Sequence, residues 1–378
     1  MKFVDEFRDD VLARKISASI AAAIHPERLY RFMEFCGGHT HAISRHGIED
    51  LLPENVRMIH GPGCPVCVLP TGRVDAAITL VNREDVILCT YGDVMRVPGS
   101  HRASLMRAKA EGADVRMVYS TLDAVRIAEQ AMDRQVVFLA IGFETTTPPT
   151  ALAIKTAKAR GLRNFLVLCN HVLTPPAIQA ILQSSKSDGP ETVKLDGLVG
   201  PAHVSTVIGT QPYVRLAEEF RTPVVVCGFE PLDVMQAIFM LISQVNARRA
   251  DVENQYTRAV TRQGNRAAQS AVADVFKVRE TFEWRGLGEV PDSALRIRKE
   301  YAEFDAEQRY RIPYIPAADN PACECAAVLR GVKQPQDCKL FGKGCTPETP
   351  MGSCMVSSEG SCAAHWTYGR FRDIHNSA

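Results

Sequence analysis

Over its first 240 residues the chain repeats one pattern: a short run of Val, Ile and Leu, a loop rich in Gly, Pro, His or Thr, then an amphipathic stretch. The runs lie at 86–89, 136–141, 165–169, 195–199 and 224–227, with 56–60 a weaker case. Several are continuously apolar rather than alternating, as parallel strands covered on both faces are. The stretches 100–111, 122–134 and 213–220 read as the intervening helices. This alternation predicts an α/β fold of two doubly wound parallel-sheet domains, with ligands at the carboxyl ends of the strands. The expected division is 1–130, 131–245 and a third part, 246–378, that is helical and then cysteine-rich. Gly142-Phe143-Glu144 recurs as Gly228-Phe229-Glu230, each after an apolar run, which hints at related halves. The pattern fades from about residue 246, where 246–312 is charged and its one short strand candidate is 273–278. From residue 313 the chain is dense in Pro, Gly and Cys. So little periodic apolar content forms no core by itself, and a metal or cluster would supply the missing crosslinks.

Charge and composition narrow the classes. The 44 Lys and Arg against 43 Asp and Glu leave a formal net charge of +1, so no bulk field favours nucleic acid or an anionic membrane. No apolar run approaches the roughly 20 residues that span a bilayer. The charged start, residues 1–10, does not read as a signal peptide, and the expected compartment is the cytoplasm. Twelve cysteines are more than packing requires. In a reducing compartment, clustered thiols point to metal ligation or redox chemistry.

Three cysteine constellations carry the chemistry. Six thiols, Cys323, Cys325, Cys338, Cys345, Cys354 and Cys362, fall within residues 323–362. Soft sulfur ligands in this number suit a [4Fe–4S] cluster. Structural zinc is the rival, but the paired CxxC knuckles usual for it are missing here. A leftover thiol pair could exchange electrons with such a cluster. The second constellation is Gly61-Pro62-Gly63-Cys64-Pro65-Val66-Cys67, whose CxxC can share one metal or close a disulfide. The third is Cys36-Gly37-Gly38-His39-Thr40-His41, where the glycines let the backbone approach a ligand and His39 and His41 are candidate ligands or hydrogen-bond donors. Cys36, Cys64 and Cys67 would make a three-thiol site if their strand ends adjoin. Glu144 is a candidate proton carrier or helix anchor, and His171 and His203 sit just past strands. Cys89, Cys169 and Cys227, in or at the ends of apolar runs, read as packed thiols. The chain has no P-loop, strand-linked GxGxxG, CxxxCxxC, GxSxG or HExxH motif.

These motifs, in this order and together with Gly142-Phe143-Glu144-Thr145-Thr146 and the segment from Cys345-Thr346-Pro347 to Cys354-Met355-Val356-Ser357-Ser358-Glu359-Gly360, resemble the HypD family of hydrogenase maturation factors. The resemblance covers nearly the whole chain. It implies two α/β domains and a C-terminal part bearing a [4Fe–4S] cluster. It also implies a scaffold, with redox activity, for assembling the Fe(CN)2CO group of [NiFe] hydrogenases. A HypC-type chaperone and a HypE-type cyanide donor are the implied partners. The family's functional cysteines match Cys36, Cys64 and Cys67. Which four of the six C-terminal cysteines would hold the cluster stays open, as does the choice between ligand and redox pair for Cys64 and Cys67. An iron–sulfur-linked thiol–disulfide reductase is the alternative from another class.

Overall fold

The computed structural model describes residues 5–186 and 192–369, so the first four residues of the 1–10 segment lie outside it. Nine parallel strands form two sheets: β1 Tyr30–Glu34, β2 Val56–His60, β3 Val86–Thr90, β4 Val115–Met117, β5 Gln135–Gly142, β6 Phe165–His171, β7 Gly197–Pro201, β8 Val224–Cys227 and β9 Val252–Asn254. One sheet has the order β2-β1-β7-β8-β9, the other β4-β3-β5-β6. The α/β class with parallel sheets is therefore as the periodicity predicts. Strand pairing crosses the expected 130/131 division in both sheets. β7 pairs with β1, and β5 pairs with β3, so the second sheet is built from the middle of the segment whose two ends build the first.

Each sheet starts in the same way: the first strand pairs with the second on one side and with the third on the other. The order of connection thus reverses between β1 and β7 and again between β3 and β5, the crevices where α/β sheets bind ligands. The two Gly-Phe-Glu motifs do not mark equivalent places in this scheme. One follows β5, a third strand, and the other follows β8, a fourth strand.

Local chemistry explains most element boundaries. β3 is Val-Ile-Leu-Cys-Thr with every residue buried, so both its faces are covered. Helix Gly37–His46 stops at Gly47, whose left-handed φ of 62° lets its N–H bond Ile43 O. Helix Thr121–Gln130 starts from a Ser120–Asp123 capping box. The helix expected over 100–111 is only Leu105–Ala110, because His101 and Arg102 both adopt left-handed φ and break its first turn. The strand expected at 195–199 forms two residues later. Of 273–278, the first three residues finish helix Arg266–Val275 and only Phe276–Val278 is strand.

Residues 276–297 add two small antiparallel pairs, Phe276–Val278 with Leu295–Ile297 and Thr281–Trp284 with Gly288–Pro291. The buried Trp284 donates its indole N–H to Ser293 Oγ at 2.8 Å. The C-terminal segment does not core itself. Cys325, Leu329, Cys354, Met355 and Val356 pack into one cluster with Cys67, Val68, Phe143 and Trp284. Arg96 ties this segment down, donating to Pro347 O and Val356 O at 3.1 Å each. No described helix is long and apolar enough to cross a membrane.

Candidate functional site

A cleft of about 460 Å³ opens where the carboxyl ends of both sheets meet. Its wall takes Cys36 after β1, Gly63 and Val66 after β2, Tyr91 and Asp93 after β3, Tyr119 after β4, Phe143 and Thr146 after β5, and His203 after β7. Ser357, Ser358 and Glu359 of the cysteine-rich segment close one side. Both crossover points of the fold thus face the same space.

Cys36 is the cap residue of helix Gly37–His46, with extended φ and ψ of −149° and 123°. Its Sγ lies 4.0 Å from His203 Nδ1. The His203 ring is stacked on Phe229 with centroids 4.0 Å apart, which fixes its plane. Burial, then the Glu359 carboxylate, push the Cys36 thiol pKa up, while the Gly38 and His39 backbone amides pull the other way. Burial also raises Glu359, with the charges of Asp93 and Glu34 adding to it. Gly37 allows the close approach of Glu359, since a Cβ there would lie 2.3 Å from Glu359 Cβ.

The Gly61–Cys67 loop lies directly against Cys36. Gly37 N donates to Gly63 O at 3.0 Å, and Gly61 N donates to Glu34 O at 3.0 Å. Cys64 and Cys67 are joined as a disulfide, both buried behind the cleft wall. On its far side Cys67 meets the C-terminal segment: Cys67 Sγ is 3.9 Å from Ser353 O, and Ser353 Oγ donates to Cys67 O at 2.9 Å. Cys354 is the next residue.

All six C-terminal cysteines border one small interior space. Cys325, Cys345, Cys354 and Cys362 are buried, while Cys323 and Cys338 are partly exposed. Cys323, Cys325 and Cys354 face one another across this space. Among the described residues, no three His, Cys, Asp or Glu side chains already hold the mutual geometry of a metal site. The donor set nonetheless fits a thiolate-ligated cluster: soft sulfurs converge from five separate stretches of the chain, and among the described residues no carboxylate borders the space. Arg285 is buried between this region and the disulfide loop. It donates to Leu69 O and Thr71 Oγ1 at 3.1 Å each and pairs with Asp319 at 3.0 Å. Arg285→Met takes the guanidinium from Asp319, which keeps the Thr71 hydroxyl, and from the Leu69 and Thr71 oxygens, and is expected to cost about 3 kcal/mol in urea unfolding.

The other candidates lie elsewhere. His39 is fully buried, with Nε2 3.0 Å from both Cys227 O and Gly228 O. His41 Nε2 is 3.1 Å from Tyr368 OH, joining the helix to the C-terminal segment. His171 sits behind the cleft, with Nε2 2.9 Å from Thr150 Oγ1. Cys89, Cys169 and Cys227 are buried. Glu144 is turned away from the cleft and anchors helix Thr174–Ser185, accepting from Thr174 N and Oγ1 at 2.8 and 2.9 Å. The sequence reading did not single out Glu34, Glu359 or Ser353. Glu34 lies two residues before the Cys36 motif, Glu359 lies within a motif read for its cysteines, and Ser353 directly precedes Cys354.

Burial pushes the Glu144 carboxyl up to about 7, against the pull of its own backbone amide and of Thr174. A carboxyl raised in the folded state binds its proton more tightly there than in the unfolded chain. Its stabilising contribution is complete below the ordinary carboxyl range and lost as pH rises through the folded value. Urea unfolding should therefore show Glu144→Gln gaining on the parent by about 3 kcal/mol between pH 4.5 and 8. A constant difference between the two proteins across that window would refute it.

A family model described as HypD, hydrogenase formation hypA family, matches residues 11–369. The chain is 68% identical over 373 residues to the hydrogenase maturation factor HypD of Rhizobium leguminosarum bv. viciae, covering 99% of this chain and 97% of the relative. It is 65% identical to the HypD of Cupriavidus necator, with 99% of each chain covered. Identity to the Escherichia coli K12 HypD is 47%, over 97% and 98% of the two chains. The alternative of a general thiol–disulfide reductase is not favoured by these matches. With motifs, span and identity in agreement, the chain belongs to the HypD family of hydrogenase maturation factors.

Proposed function

We propose that this chain holds iron in the cleft while the Fe(CN)2CO group of [NiFe] hydrogenases is assembled, with a HypC-type chaperone and a HypE-type cyanide donor as partners. The observation that carries this reading is the meeting of Cys36 Sγ, His203 and Glu359 at the joint mouth of two parallel sheets, backed by the disulfide loop. Iron bearing cyanide and carbonyl is electron-rich, and a thiolate is a suitable anchor for it. Cys36 ligates the iron jointly with a thiol from the chaperone. As the Fe–S bond forms and the S–H bond breaks, the proton passes to His203 Nδ1, 4.0 Å away. Cys36 itself is buried on the inner wall, which limits the access of oxidants to its sulfur.

The Cys64–Cys67 disulfide supports the redox-pair role over the ligand role. Opening it takes up two electrons and two protons, and closing it returns them. Contact of Cys67 with Ser353 supports a route from the C-terminal cysteines. A [4Fe–4S] cluster held by four of those six thiols would supply one-electron transfer there.

The test is to isolate the chain anaerobically, measure iron, inorganic sulfide and zinc, and record infrared spectra of its complex with the chaperone. Iron with sulfide, and cyanide and carbonyl stretches on a second iron, are expected. Zinc alone, or thiol–disulfide turnover without those stretches, would overturn the reading.

A further inference from the structure

Glu34 ends β1 and is completely buried, two residues before Cys36. Each of its oxygens is committed. Oε2 accepts the Cys36 backbone N–H at 2.8 Å. Oε1 accepts from Thr40 Oγ1 and lies 3.0 Å from His60 Nδ1. His60 ends β2 and is the Cα partner of Glu34 in the sheet. The Glu34 carbonyl in turn accepts Gly61 N. One residue thus touches the strand that carries Cys36, the helix that follows it, and the start of the disulfide loop.

We propose that Glu34 is a positioning residue: its carboxylate oxygen holds the Cys36 N–H in the extended conformation that delivers the sulfur to His203 and the cleft. The Cys36 N–H belongs to a helix cap residue, so it lies outside the helix ladder and depends on a local acceptor. A buried amide left without an acceptor is destabilising. Rotation of Cys36 toward another acceptor would carry Sγ away from His203. Thr40 and His60 fix the far oxygen, which leaves the near one a single placement. What matters is the reach and acceptor capacity of the side chain rather than its charge.

The proposal rests on the reading of Cys36 as the iron-holding thiol, and two substitutions, one isosteric and one shorter, separate the two ideas. Glu34→Gln keeps the length and one acceptor oxygen. Its amide N–H₂ can donate to Thr40 Oγ1 and to the other tautomer of His60. Glu34→Asp keeps the charge but is one methylene too short to span Cys36 N and His60. The complex with the HypC-type chaperone is prepared for both variants, with melting temperature and hydrogen exchange of residues 35–38 measured beside the infrared spectrum. Positioning predicts parent-like exchange and iron bands in the Gln variant. In the Asp variant exchange at Cys36 N–H rises about tenfold, and iron-band intensity falls by about 100-fold, the cost of a misplacement near 1 Å. Loss in the Gln variant with retention in the Asp variant would assign the effect to charge and overturn the proposal. Losses that follow melting temperature alone in both would reduce Glu34 to a structural role and overturn it too. Retained iron bands in Cys36→Ala would sink the underlying reading, whereas exchange at residues 35–38 reports on Glu34 either way.

Discussion

Cys36→Ala is expected to give a folded protein with its Cys64–Cys67 disulfide intact and iron-ligand infrared bands reduced by more than about 100-fold. That is already the upper range for losing an outer partner of a metal ligand, and Cys36 is placed to be the ligand itself. The fold should tolerate the change. Cys36 is a small buried side chain whose Sγ lies 4.0 Å from His203 Nδ1, and its own backbone bond to Glu34 and the neighbouring Gly37 bond to Gly63 O survive the substitution. A stability loss near 1 kcal/mol is expected, the order of removing one buried heavy atom. The measurement pairs infrared spectra of the chaperone complex with urea unfolding of the isolated chain. Full-strength bands in the alanine variant would remove Cys36 from the iron. Lost bands with an unfolded chain would be read instead from Cys36→Ser, which restores volume and polarity but not the soft donor.

Much of this arrangement was legible from residue order alone, for physical reasons. Continuous runs such as Val-Ile-Leu-Cys in β3 admit few readings other than a strand covered on both faces. Loops rich in Gly, Pro and His after such runs mark strand carboxyl ends, and Cys36, Gly63, Phe143 and His203 do share one cleft. Strand order was not legible. Nothing local in residues 135–171 says that they pair with residues 86–117, because parallel pairing is settled by how helices pack across the whole sheet. Side-chain direction was hidden too. Glu144 has the loop position of a cleft acid, yet two donors of Thr174 draw it to the start of helix Thr174–Ser185. His39 and His41 are two residues apart on one helix and so point to different sides, one to backbone oxygens after β8 and the other to Tyr368. The contact between Cys67 and Ser353 joins positions nearly three hundred residues apart, and no periodicity carries that information.

The second large effect is expected at a residue with no side chain. In Gly63→Ala, the new Cβ would lie 2.3 Å from Cys36 N, 2.6 Å from Phe35 C and 2.7 Å from Cys36 Cα. All three are backbone atoms at the end of β1, so no side-chain rotation relieves the contact. The Gly61–Cys67 loop and the Cys36 turn have to separate, which strains the Gly37 N to Gly63 O bond. Overpacking of this kind costs about 3 kcal/mol. It also moves the Cys36 sulfur relative to both the disulfide and His203. Urea unfolding should show the loss, and the chaperone complex should lose its iron bands by about 100-fold, since a shift near 1 Å at a reacting centre has that scale. Gly112→Ala separates close approach from backbone conformation. Gly112 has a φ of 109° and nothing within 4 Å of a built Cβ, far from the cleft, so alanine there strains only its own backbone. That variant should lose stability and keep parent-like iron bands. A Gly63→Ala protein that melted like the parent and kept full iron bands would show that the two loops need not touch. The disulfide would then have no fixed place beside the thiol that it is proposed to serve.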